Sequence, residues 1–264
     1  MANPLVLVAH AALSLTEPAF LKHYRRGRFQ VRDGVAYTAS ELPGPGFNFA
    51  ACLGRCPPLA AVLPTAQAFF ADADQGWGIL VEGDAGHPVE AAVQAAAVQA
   101  AGWAVAEDEQ AFVRPDLADL GPMSGPAGLV LRPVADPTDV ETFRRVCTVA
   151  FEAPPEIADL IMPSLGFARD PAMHWLLAEV DGAAVAAGGY YRAGDVAVIC
   201  CLATLAEHRG RGVGAALTRA CLVDARGKGC KVSALRSGPK SVPLYERLGF
   251  RYACQHRTYA APAG

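Results

Sequence analysis

Residues 196–215 read Val-Ala-Val-Ile-Cys-Cys-Leu-Ala-Thr-Leu-Ala-Glu-His-Arg-Gly-Arg-Gly-Val-Gly-Ala. The apolar run Val196–Thr204 predicts a long buried strand. The stretch Arg211–Gly227 predicts a helix, closed by Gly227 or Gly229. Between them, Gly210, Gly212 and Gly214 remove side chains where a ligand has to approach the backbone. The first turn of the helix offers unpaired N–H groups and the positive end of a dipole, which together make an anion site. Arg209 and Arg211 add charge suited to phosphate oxygens. The same residues also suit a tight turn with two surface arginines.

Gly210-x-Gly212-x-x-Ala215 also fits a dinucleotide fingerprint, which calls for an acid at the end of the next strand. That strand, Lys231–Leu235, runs into Arg236, and arginine suits a 2′-phosphate. Chain length argues against this alternative. About 50 residues follow the loop, too few to complete a doubly wound sheet.

Working outward, a helix is expected over Val242–Leu248 and a last strand over Phe250–Tyr259. Upstream, Leu129–Arg132 reads as a strand and Thr138–Phe151 and Pro154–Leu165 as helices. His174–Val180 and Ala183–Tyr191 read as strands joined at Asp181-Gly182, a hairpin pair. Leu117–Gly128 is rich in Gly and Pro and reads as a linker. Before it come a possible hairpin around Arg32-Asp33-Gly34 and strands at Phe47–Leu53, Trp77–Val81 and within Trp103–Arg114. Helices are expected at Ala19–Tyr24, Pro58–Ala71 and Pro88–Gly102, and Leu5–Leu15 is helix or strand. Both halves share a late strand–helix–strand–helix–strand order, which suggests a duplicated fold.

The chain has 264 residues, 52% hydrophobic and 19% charged, enough for two ordinary cores. Its net charge of -3 gives no reason to expect nucleic acid. Residues 1–126 hold 7 Lys+Arg against 13 Asp+Glu, and the rest hold 16 against 13. The basic half therefore carries the glycine loop, as a polyanionic ligand would prefer. The 8 cysteines fall partly inside apolar strand- or helix-like runs and read as buried thiols of a reducing cytoplasm, not as disulfides. Cys52-x3-Cys56 has no second pair at ligand spacing, so no metal site is expected. Pro4–Leu15 lacks a basic lead-in and reads as a buried segment, and no apolar run is long enough to span a membrane.

Arg209, Gly212 and Gly214 match the Arg/Gln-x-x-Gly-x-Gly/Ala signature of the GNAT superfamily of N-acetyltransferases. A second block, Val242-Pro-Leu-Tyr-Glu-Arg-Leu-Gly-Phe250, matches that superfamily's closing helix. The chain resembles this family over about Gly128–Tyr259, with Ala206 standing where many members have proline. The resemblance implies an α/β (α+β) fold of two GNAT-like domains. Each has a mixed, mostly antiparallel central sheet with helices on both faces. The expected division is a degenerate copy over 1–120, a linker over 121–127 and the catalytic domain over 128–264.

The implied activity is acetyl-CoA-dependent N-acetylation of a small-molecule primary amine by direct transfer through a tetrahedral intermediate. Acylation of a protein or peptide and a catalytically silent acyl-CoA-binding module are the alternatives. Leu202, Ala203 and Thr204 are expected to bond the pantetheine arm through their backbone. Arg209, Gly210, Arg211, Gly212, Val213, Gly214 and Ala215 are expected to hold the pyrophosphate. Tyr245 matches the general-acid tyrosine. Glu152 is expected as base or acceptor-pocket residue, with Glu179, His174, Tyr190 and Tyr191 as further candidates. A Cys200 or Cys201 nucleophile is disfavoured, because both sit mid-strand away from a base. The protein is expected to be cytoplasmic, a monomer or homodimer, without metal, nucleic acid or membrane partners. In the first half, Gly54-Arg55-Cys56-Pro57-Pro58 lacks Gly-x-Gly spacing and its prolines remove N–H donors. Only one cofactor site is therefore expected.

Overall fold

The computed structural model describes residues 8–9, 12, 16–40, 42–52, 57–72, 76–83, 98–122, 124–154, 157, 161–162 and 164–262. Most of the expected Leu5–Leu15 segment, Gly54–Cys56, most of the Pro88–Gly102 helix and half of the Pro154–Leu165 helix lie outside them. The chain forms two compact units. The first holds Met1–Val113, Arg236–Val242 and Arg251–Gly264, and the second Arg114–Leu235 and Pro243–Phe250.

In the first unit a short helix α1 (Thr16–Leu21) precedes a hairpin of β1 (Arg28–Arg32) and β2 (Val35–Ala39). Its turn places Asp33 at φ 51 and Gly34 at φ 76, the two positive angles of a tight primed turn. Then come β3 (Phe49–Cys52), α2 (Leu59–Phe69), β4 (Gly78–Gly83) and β5 (Ala104–Arg114). β3 pairs antiparallel with β2 and parallel with β4, so β3-α2-β4 is a crossover unit. Phe70 stacks on Trp77 at 4.8 Å and Trp77 meets Trp103 edge-on at 5.1 Å. Val62, Ile79 and Tyr259 complete this core.

The second unit opens on residues that read as a linker but are held along a helix. Leu117 is buried and donates its N–H to the Lys231 carbonyl. Arg226 bonds the Ala118 carbonyl and Arg219 that of Leu120. There follow β6 (Leu129–Pro133), α3 (Pro137–Ala150), α4 (Leu165–Ala168), β7 (Met173–Val180), β8 (Ala183–Ala193), β9 (Val196–Thr204), α5 (Val213–Gly227), β10 (Val232–Ser237) and α6 (Val242–Arg247).

β6 to β9 form an antiparallel meander, and β10 joins β9 in parallel. The β7–β8 turn sets Asp181 at φ 52 and Gly182 at φ 79. α3 starts where Asp136 accepts from the N–H of Asp139 and Pro137 takes the first helical position, two strong start signals. Alternate residues of β7 show that the two helices cover opposite faces. Trp175 meets Phe143 of α3, while His174 lies beside Asp224 of α5, as a period of two requires. On the α5 face Val213 and Leu217 bury against Ala178, Val185 and Ala186, each large side chain contributing about 1.5–3 kcal/mol.

The last strand, β11 (Arg251–Ala260), departs from the expected division at 121–127. It inserts antiparallel between β4 and β5 of the first unit, with Gln255 opposite Gly83 on one side and Gln110 on the other. The ladder hydrogen bonds of a ten-residue strand outweigh sequence proximity in deciding its sheet.

Candidate active site

The site is built on an irregularity in β9. Its ladder with β8 runs regularly from Ala193↔Val196 to Gly189↔Cys200 and resumes at Ala187↔Ala203. Cys201 and Leu202 thus oppose Gly188 alone, which is a β-bulge. Cys201 adopts φ 54, a left-handed conformation uncommon for residues other than glycine.

Gly188 permits this geometry. A Cβ there would stand 3.0 Å from the Leu202 Cα and 2.4 Å from its Cδ2. The neighbouring Gly189 would place a Cβ 2.1 Å from the His174 carbonyl oxygen. Sequence reading missed both, although a Gly-Gly pair inside an apolar strand is a bulge signal.

The bulge coincides with divergence from β10. The parallel ladder holds Val196, Ala197 and Val198 against Val232, Ser233 and Ala234. Ile199–Thr204 continue beyond the last pair. A splayed pair of parallel strands leaves main-chain N–H and C=O groups available to an extended ligand. Leu202, Ala203 and Thr204 all lie on this stretch.

β9 leads through a 3-10 turn at Ala206–His208 into the glycine loop. Gly210 and Gly212 adopt φ 74 and 86, and a Cβ on either would meet nothing within 4 Å. Their space is open and their backbone is one that favours glycine. Arg211 is exposed between them. The helix begins at Val213, two residues later than expected, because left-handed Gly212 serves as its N-cap without a side-chain hydrogen bond. Its first-turn N–H groups at Val213, Gly214 and Ala215 face the loop without an intrahelical acceptor. Gly214 lets the helix start lie close to β9, with a Cβ position 3.4 Å from the Thr204 Oγ1 and 3.8 Å from the Leu244 Cδ2.

Arg209 is exposed, yet its guanidinium is engaged. Nε donates to the Thr204 carbonyl at 3.0 Å and an Nη to the Ala150 carbonyl at 2.8 Å. Ala150 ends α3, and Glu152 lies two residues on, exposed, at φ 54. Glu152 is thus within about 7 Å of chain from the arginine's anchor.

Tyr245, on α6, is buried, with its ring edge-on to Phe250 at 5.8 Å. Burial, with a smaller contribution from Cys221 on α5, pushes its phenol up to about 12. It stays protonated at neutral pH and can donate but not abstract. The C-terminal end of α6 is fixed by Arg114, which donates to the Leu248 carbonyl.

Tyr190 and His174 gather elsewhere, while Glu179 lines a cavity with Leu205, Glu207 and His208. Tyr190 is fully buried and donates its hydroxyl to Asp224 at 2.6 Å. Its phenol is pushed far upward by burial and then by Asp224. His174 stacks on Tyr190 at 4.6 Å and is held below the usual imidazole value, chiefly by burial. Both surround Asp224, eleven residues along α5 from Val213 and so about 16 Å from the loop. Tyr191 stands opposite Val198 in the β8–β9 ladder. Glu179 is paired with Arg132 at 2.8 Å, which also holds buried Asp139 at 2.5 Å. Of the acidic and aromatic candidates, Glu152 alone is tied by chain to the loop's own hydrogen bonds.

Cys147 is buried on α3, with its thiol 3.8 Å from the Cys201 carbonyl. Burial, and then Cys201, pushes this thiol well above its ordinary value, so it is a neutral donor and not a nucleophile. Among the described residues no three His, Cys, Asp or Glu side chains gather as metal ligands. Nor is any described helix long and apolar enough to cross a membrane.

Residues 140–250 match the model of the acetyltransferase (GNAT) family. No curated protein matches the chain significantly. Solved structures share the fold over nearly its whole length. A GCN5-related N-acetyltransferase from Kribbella flavida has a TM-score of 0.72 at 18% identity, over 97% of this chain and 96% of that one. A tandem GNAT protein from the clavulanic acid biosynthesis pathway has 0.65 at 17%, over 99% and 95%. A GCN5-related N-acetyltransferase from Sphaerobacter thermophilus has 0.62 at 14%, over 97% and 91%. At these identities the structures speak to the fold, and the stretch matched by the family model contains the glycine loop and α6.

Proposed function

We propose, from the premise that residues 140–250 are an acyltransferase domain of the GNAT family, that this protein is an acetyl-CoA-dependent N-acetyltransferase. Its acceptor is the primary amine of a small molecule. The observation that carries this reading is the continuous track from the bulged, diverging end of β9 through the open glycines to the uncapped start of α5. An extended thioester cofactor with a pyrophosphate in its middle needs main-chain partners first and an anion site second. The track supplies them in that order.

Acetyl-CoA supplies the activated acyl group. Leu202, Ala203 and Thr204 orient it through their backbone. Val213, Gly214 and Ala215 direct their N–H groups to the pyrophosphate, with Arg209, Gly210, Arg211 and Gly212 shaping the loop. The amine attacks in its neutral form and displaces the thiolate through a tetrahedral adduct. Main-chain N–H groups of the splayed strand stabilise the oxyanion.

Tyr245 donates a hydrogen bond to the departing sulfur. With its phenol near 12, full proton transfer to a thiolate whose conjugate acid lies near about 8.5 is uphill. The tyrosine therefore stabilises the leaving charge, and the proton that ends on sulfur comes from the attacking nitrogen. Glu152 either takes up that proton in passing or holds the acceptor's ammonium group before it is deprotonated.

Calorimetry with acetyl-CoA, followed by thiol release across a panel of small amines and peptides, tests the reading. One equivalent bound and turnover on small amines is the expected result. Turnover on peptides alone would redirect it to protein acetylation. Tight binding with no turnover on any amine would make the domain an acyl-CoA sensor.

A further inference from the structure

We propose that Arg209 is a positioning residue that couples occupancy of the cofactor loop to the order of the acceptor side of the site. The inference rests on the acetyl-CoA reading and adds to it a function for one side chain.

The last turn of α3 is bonded at two points to the segment that would carry the cofactor. The Ala150 carbonyl belongs to the last four of the helix, which lack intrahelical donors, and Arg209 supplies its donor at 2.8 Å. One turn earlier the Cys147 thiol lies 3.8 Å from the Cys201 carbonyl, on the bulge itself. The same guanidinium bonds the Thr204 carbonyl at the end of β9. A charged donor at a helix C-terminus also offsets the dipole there.

Beyond Ala150 the chain turns sharply. The Phe151 N–H reaches back to the Cys147 carbonyl and that of Glu152 to Val149. Glu152 then takes its left-handed conformation. Arginine is suited to this junction because its planar fork can reach two carbonyls at once, while the single ammonium of lysine cannot hold both positions. Two of its five N–H groups are given to protein carbonyls. Its first task is therefore to fasten the loop to α3, and any phosphate contact comes in addition. A ligand that orders the loop orders the end of α3 through this bridge, and by linkage an acceptor that orders the end of α3 favours the loop.

The test is hydrogen exchange over residues 148–154 in the full-length protein, alone and with acetyl-CoA. Wild type, Arg209→Lys, Arg209→Ala and Cys147→Ala are compared, and β7 and β8 amides serve as the internal reference for intact folding. Without ligand, exchange over 148–154 is expected to rise about tenfold in both Arg209 variants, the loss of one charge-assisted hydrogen bond. Cys147→Ala is expected to give a smaller rise. Acetyl-CoA should protect the segment in wild type and leave it unprotected in both Arg209 variants.

The lysine variant separates bridge from charge. If Arg209→Lys protects like wild type while Arg209→Ala does not, Arg209 acts only as a positive charge and the proposal is overturned. Binding of acetyl-CoA to wild type without protection of 148–154 overturns the coupling alone. Absence of acetyl-CoA binding by calorimetry removes the cofactor reading and the coupling with it.

Discussion

The two units contain the same crossover, β3-α2-β4 in the first and β9-α5-β10 in the second, and the acetyl-CoA proposal rests on features described in the second. Each crossover joins parallel strands held by three register pairs. Within the described residues β3 covers Phe49–Cys52, and Phe49, Ala50 and Ala51 pair with β4. β9 runs on from Val198 to Thr204 past its last pair with β10. The β2–β3 ladder is regular from Val35↔Cys52 to Thr38↔Phe49, whereas β8–β9 is bulged at Gly188. α2 follows Pro57 and Pro58, and prolines offer no N–H. α5 follows Gly210 and Gly212. The comparison teaches that topology supplies the place for a cofactor, while a strand irregularity and a few N–H donors decide whether the place can be used.

The contrast is sharpest in the chemistry. Tyr245→Phe is expected to lower kcat about 100-fold, within the range of a lost donor to a developing charge, with acetyl-CoA affinity unchanged within about twofold. Unaltered turnover would remove Tyr245 from the mechanism. Because its phenol lies near 12, wild-type kcat should show no descending limb from this residue up to pH about 10. A fall below that pH that vanishes in Tyr245→Phe would contradict the burial argument.

Gly188→Ala attacks the bulge that the β2–β3 ladder lacks. Overpacking against Leu202 is expected to cost about 1–3 kcal/mol in urea unfolding and to weaken acetyl-CoA. Wild-type stability and binding would show that the bulge is not what the glycine is for. Gly212→Ala leaves the bulge alone and forces a side chain into φ 86, a strain of about 1–2 kcal/mol. It should weaken acetyl-CoA about tenfold, read by calorimetry. Replacing Pro57 and Pro58 with alanine is the smallest effect. The binding stoichiometry should remain one, and a second equivalent would break the comparison.

Acid stability probes the support of α3 separately. Burial raises the Asp139 carboxyl, but the Ala135 N–H and Arg132 outweigh it and hold it below its ordinary value. A group depressed in the folded state stabilises above its unfolded pKa of about 4 and loses that contribution as pH falls through the folded one. The stability advantage of wild type over Asp139→Asn should be full near neutrality and shrink below pH about 4. A pH-independent difference would rule out this linkage.

Most elements were legible because their patterns are local. Asp181-Gly182 and Asp33-Gly34 announce their hairpins, while the Asp136 cap that starts α3 one residue before the expected Thr138 went unread. The glycine loop was legible for the same reason, since positive φ and close approach are written in glycine itself. The role of Arg209 was not. Its type suggested phosphate, but a guanidinium bonds whatever oxygens the fold brings within reach, and the fold brings Thr204 and Ala150. Among the base candidates, sequence could not separate Glu152 from Glu179, because the Arg132 that occupies Glu179 arrives from another strand. Tyr190 and His174 were removed by their packing around Asp224, a helix-length away from the loop.

Sequence by itself determined the strand, the glycine loop, the helix that follows it and the place of Tyr245 on the closing helix, because each depends on residues within a few positions of one another. Tertiary structure alone decided that β11 completes the first unit's sheet, that Gly188 makes room for the bulge and that Arg209 fastens the loop to α3. Those outcomes depend on which strand edges and carbonyls come within hydrogen-bond reach, and no periodicity along the chain encodes that.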